Sequence, residues 1–154
     1  MSRPTFAFVY SAAVLILTVV HHLYGAWRYA TPWRHHVAIA VAPLLIVLTA
    51  AFIAVSGNYG IRIRTAASWM FLGIGAAAAV AWIGLFEGGY AHVLKNLAYF
   101  GGLPRATFAT LFPAPAFEIP DDVFFEATGI VQFILAVPAA FYLLRFWRAV
   151  RANT

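Results

Sequence analysis

Residues 66–86 read AASWMFLGIGAAAAVAWIGLF, and this run decides the fold. It carries no charged side chain, and at roughly 20 residues it is long enough to cross the hydrocarbon core of a bilayer as a helix. Three further apolar runs have the same character. Together they predict an all-α, four-transmembrane-helix bundle with helices over about 6–25, 34–56, 66–87 and 121–147. Of the 154 residues 64% are hydrophobic and 10% charged, which leaves little chain for a water-soluble domain. The whole of 1–154 therefore reads as a single integral membrane domain.

Four crossings put the two ends of the chain and the 56–65 loop on one side. That side holds Arg3, Arg62, Arg64, Arg145, Arg148 and Arg151 and no acid. The positive-inside rule then expects both termini in the cytoplasm, with a bacterial cytoplasmic membrane as the setting. The opposite side receives the 26–34 and 88–122 connections and all five acidic residues. Gly88-Gly89 is expected to end or bend the third crossing, with 90–100 continuing as an interfacial segment on the extracytoplasmic side. Beyond it the breakers Pro113, Pro115 and Pro120, with Phe108, Leu111, Phe112 and Phe117 between or before them, predict an ordered capping loop over the mouth of the bundle.

Composition removes several function classes. A net charge of +5 comes from arginines at helix ends, which are ordinary membrane anchors, so nucleic acid is not an expected partner. The absence of cysteine excludes disulfides, thiolate metal sites, iron–sulfur clusters and covalently attached haem. The first apolar run is read as a retained helix rather than a signal peptide, because its polar end carries His21 and His22 where a small-residue cleavage site would stand.

Small and polar residues predict how the helices meet. Gly73, Ala77, Ala81 and Gly84 form a stripe on the third helix, and Ser11, Thr18 and Gly25 with His21 and His22 form one on the first. Thr31-Pro32 is expected to start the second helix, and Pro43 to kink it.

The chemistry lies at one depth. His21 and His22 fall about one turn before the first helix exits, His35 and His36 about one turn into the second, Glu87 at the exit of the third and Glu126 about one turn into the fourth. His92 is placed to join them from the interfacial segment. Imidazole and carboxylate together suit a transition metal such as iron, copper or zinc, so His21, His22, His35, His36, Glu87, His92 and Glu126 are the candidate metal ligands. Glu126 and Glu87 are also the candidate proton carriers. Asp121 and Asp122 need no role beyond balancing a helix N-terminus, and Glu118 reads as a solvated or arginine-paired loop residue.

The expected function is metal-dependent chemistry, oxidative or hydrolytic, on a lipophilic small molecule entering from the bilayer. Two other classes fit the same composition. One is a non-catalytic accessory subunit with a membrane-protein partner or a second copy of itself; the other is a haem b or quinone carrier with one histidine of each doublet as axial ligand.

Overall fold

The computed structural model describes residues 3–152 of the chain and is helical nearly throughout. Its elements are α1 (Arg3–Arg28), a 3-10 turn (Pro32–Arg34), α2 (His35–Ser56), α3 (Ile61–Ile74), a π-helical segment (Gly75–Leu94), α4 (Lys95–Phe100), α5 (Arg105–Leu111) and α6 (Val123–Arg151). The pieces α3, π segment and α4 join into one uninterrupted helical rod, Ile61–Phe100. That rod, together with Pro4–Arg28, Pro32–Ser56 and Val123–Arg151, gives four helices long and apolar enough to cross a membrane.

Helix α6 lies between α1 and the π segment, and α2 covers α1 and α3. The centre is filled by Val14, Leu15, Val41, Leu48, Phe71, Ala79 and Ile83, all fully buried. Cutting Phe71 back to alanine would cost about 3–5 kcal/mol by the usual cavity rule. The outer surface is apolar too: Ile16, Ile39, Ile46, Phe86, Ile134 and Val137 are each more than half exposed. An apolar exterior over a core with buried polar groups inverts the pattern of a water-soluble bundle.

The third rod departs from expectation in two ways. Gly88-Gly89 does not end it, and 90–100 is its direct continuation rather than a separate interfacial helix. The glycines serve close packing instead. A Cβ on Gly88 would lie 2.6 Å from the backbone nitrogen of Phe133 and 2.9 Å from the carbonyl of Gly129, and one on Gly84 would lie 2.2 Å from Cβ of Ala136. The buried stripe is also not the one expected, since Gly73, Ala77 and Ala81 are exposed. Gly75, Ala78, Ala79, Ile83, Gly84, Glu87, Gly88 and His92 point inward. These positions recur every four to five residues, which is the face a helix with i→i+5 hydrogen bonds presents. On an α-helix the bearing from Gly75 to His92 would drift by about 100°.

Local signals explain the other ends. Asp122 caps α6, its Oδ1 accepting from the Phe125 N–H at 2.9 Å. After Phe100 the chain turns on Gly102, whose φ of +79° lies in the left-handed region that glycine adopts without strain. Thr31 precedes the 3-10 turn without capping it: its hydroxyl donates to the Gly25 carbonyl and accepts from Arg34 Nε at 2.8 Å. Helix α2 runs through Pro43 without a break in helical structure. The 101–120 connection packs as an aromatic cluster around the buried Phe112, whose ring contacts those of Tyr90, Phe108 and Phe117.

Candidate metal centre

Three elements bring polar side chains into the core near one end of the rod. From α1 come Thr18, His21 and His22; from the π segment Glu87 and His92; from α6 Glu126 and Thr128. Each is there because the helix carrying it has the right phase. Thr18, His21 and His22 share the inward stripe with Ser11 and Gly25, all buried. Glu87 and His92, five apart, share a face only because the backbone is π-wound.

His21, His22 and Glu87 form the compact group. One ligating atom from each lies within 4.8 Å of the others, and all three residues are buried. Ligands about 2.0–2.2 Å from a tetrahedral metal are separated by roughly 3.3–3.6 Å, so the side chains need only small rotations to close on an ion.

The hydrogen bonds fix the tautomers. The Thr128 hydroxyl donates to the carbonyl of Phe124 at 2.8 Å, within its own helix. It therefore accepts from His21 Nδ1–H, at 2.9 Å, and a neutral His21 is left with its lone pair on Nε2. Glu87 Oε1 accepts from Thr18 Oγ1 at 2.7 Å, and Oε2 accepts from His22 Nε2–H at 3.0 Å. His22 Nδ1 then carries a lone pair that is buried and has no partner among the described residues. His21 and Glu87 thus keep electron pairs that no protein donor takes, whereas the His22 nitrogen nearest Glu87 carries the proton and must lose it, by a change of tautomer, to ligate beside that carboxylate.

Glu126 and His92 belong to a second network. Glu126 Oε1 accepts from Lys95 Nζ at 2.7 Å; Oε2 accepts from His92 Nδ1 at 2.8 Å and from Asn96 Nδ2 at 2.5 Å. Lys95 also donates to the Glu118 carbonyl at 2.9 Å and is 1% exposed. With three donors on one carboxylate, Glu126 is a satisfied buried anion rather than an open ligand. The networks touch where the His21 and His92 rings meet edge to face at 4.6 Å, with Phe125 stacked on His21 at 4.1 Å.

His35 and His36 are not at the site. Both are exposed, and His36 Nδ1–H donates to the carbonyl of Trp33. Helix phase is the reason: α2 buries Val37, Val41, Leu48, Ala51 and Val55, and the residue of that first turn on the same side is Arg34. Arg34 lies inside, with its Nη2 3.1 Å from Glu118 Oε1 and its guanidinium 5.3 Å from the Phe125 ring centre. Sequence reading missed Arg34 and Lys95. The available signal for Lys95 was its spacing, three residues after His92, which puts the two on one helix face.

Outside the helices, Asp121 and Asp122 form the rim. Arg28 Nε donates to Asp122 Oδ2 at 2.9 Å, Tyr24 Oη donates to the same oxygen at 3.0 Å, and Tyr29 Oη donates to Asp121 Oδ1 at 2.9 Å. The Phe125 N–H, followed by Tyr24 and Arg28, holds the Asp122 carboxyl below its ordinary range. Burial first, and the Asp121 carboxylate second, push the Tyr29 phenol upward.

Comparison with family models, with characterised proteins and with solved structures gives no match for this chain.

Proposed function

We propose that this chain is a membrane-spanning four-helix protein that holds a transition metal on His21, His22 and Glu87. The observation that carries the reading is the convergence of three buried ligating side chains from two helices within 4.8 Å. Two imidazoles and one carboxylate are a ligand set that iron, copper or zinc accepts. In the orientation the arginines favour, the site lies toward the extracytoplasmic face of a bacterial cytoplasmic membrane, with both termini in the cytoplasm.

The chemistry we assign is metal-dependent turnover of a lipophilic substrate reaching the site from the bilayer. Support comes from the apolar exterior and from Phe124, Tyr24 and Trp27, whose rings meet in sequence, edge-on and then tilted, beside the His21 turn. Glu87 is the residue placed to carry a proton, because Glu126 is held by Lys95, His92 and Asn96. A haem bridged between the two histidine doublets is disfavoured, since His35 and His36 are exposed on the outer side of α2 and do not face His21 or His22.

Metal analysis of protein purified in detergent without chelators tests the reading. We expect one metal per chain, lowered roughly 10–100-fold in affinity by His22→Ala or Glu87→Ala and unchanged by His36→Ala. Folded protein that binds no iron, copper or zinc would refute it.

A further inference from the structure

Gln132 is fully buried, and neither its Nε2 nor its Oε1 has a partner among the described residues. A carboxamide offers two donors and an acceptor, and leaving all of them unused inside an apolar core is costly. Its place follows from helix register. His21 on α1 bonds Thr128 on α6. One turn back along antiparallel α1 is Thr18, and one turn on along α6 is Gln132, so the two share a level. On the rod, the Gly88 backbone abuts Gly129 and Phe133, and Gly84 abuts Ala136, which puts Gln132 at the level of Glu87 as well. The unpartnered amide, on the buried side of α6, is therefore at the level at which Thr18 donates to Glu87.

The protein supplies three ligating groups, whereas metals of this class take four or more. His92, the other buried histidine, is not in the group whose ligating atoms lie within 4.8 Å of one another. We infer that the centre keeps one exchangeable position, that its resting ligand is water, and that Gln132 holds that water by its amide. A water ligand fits both halves of the side chain: it donates to Oε1 and accepts from Nε2. This rests on the metal reading above and deepens it, since a centre with an open fourth position belongs to the reactive class of metal sites rather than the structural one.

The test uses the full chain in detergent, loaded with cobalt(II), whose visible spectrum reports its ligands, and titrated with azide. Azide accepts hydrogen bonds but does not donate them, so it replaces only part of what the water gives Gln132. In the unaltered protein azide should change the spectrum saturably. Gln132→Leu should keep cobalt at one per chain and bind azide about tenfold more tightly, because the water it displaces has lost its anchor. Gln132→Met, closer in length, repeats the test if the leucine variant does not fold. Ser11→Ala, which alters another buried unpartnered side chain seven residues from Thr18 along α1, should bind azide as the unaltered protein does. Cobalt binding without any azide response, or equal azide affinity in the Gln132 variants, overturns the inference while leaving the metal centre standing. Absence of cobalt from the unaltered protein overturns both.

Discussion

Gly129→Ala should be the most disruptive single-methyl change in the core. A Cβ at Gly129 would fall 2.2 Å from both Cγ and Cδ2 of His92 and 2.6 Å from its Nδ1, far inside van der Waals contact. The ring cannot simply swing aside, because it is 3% exposed, bonded to Glu126 and in contact with His21 and Phe125. Overpacking of this kind costs roughly 1–3 kcal/mol. Displacing the imidazole also breaks a hydrogen bond to a charged group, about 1.5–3 kcal/mol more. The expected loss is thus about 3–5 kcal/mol, offset by less than about 1 kcal/mol from exchanging glycine for alanine in a helix. Gly73→Ala is the matched control, since nothing lies within 4 Å of its added Cβ and only the propensity gain remains. Thermal unfolding in detergent, followed by circular dichroism, should show Gly129→Ala melting well below the unaltered protein and Gly73→Ala at or slightly above it. Equal melting of the two variants would refute the packing of His92 against α6.

Cysteines replacing Arg64, in the first turn of the Ile61–Phe100 rod, and Arg105, beyond its other end, both exposed, should label from opposite faces of the membrane; labelling from one face would contradict a crossing by that rod. Lys95→Ala should destabilise by roughly 3–5 kcal/mol because it strands a buried Glu126, and Lys95→Ala combined with Glu126→Gln should recover much of the loss in a thermal melt. Asp122→Ala should cost about 0.5–2 kcal/mol through loss of the α6 cap. Because the folded protein holds the Asp122 carboxyl below its ordinary range, this contribution is complete above that range and fades as pH falls through the folded value. The melting difference between Asp122→Ala and the unaltered protein should therefore shrink on acidification, and a difference that grew would reverse the sign of the argument.

The four long helices were legible because hydrocarbon-length apolar runs are a composition signal that needs no partner. The α1 stripe was legible for a similar reason: Ser11, Thr18, His21, His22 and Gly25 follow ordinary α spacing, and all five are buried. The π segment was not, since its inward face repeats at an interval that α spacing does not present. That choice of winding decides which small residues pack and makes Glu87 and His92 neighbours. The second miss, His35 and His36, came from reading depth without bearing. Both doublets sit about one turn from a helix end, but α1 turns its pair inward while α2 turns inward Arg34 and Val37. The ion pairs of Glu118 and Glu126 depend on how the 101–120 connection folds back, which no local pattern encodes.

The winding of the rod makes chain length, more than residue identity, the carrier of information between α3 and the site. Any alanine in the run 76–79 can be exchanged for another small residue without changing where Glu87 points. Removing one of them, with α3 held in place, moves every later residue back by one position. Gly88 would then stand where Glu87 stood, and Glu87 would take the outward position of Phe86, which is 53% exposed. The same deletion would carry His92 to the place of Ala91. A three-nucleotide loss in the alanine tract would disperse the buried His/Glu group more completely than replacing any one of its members.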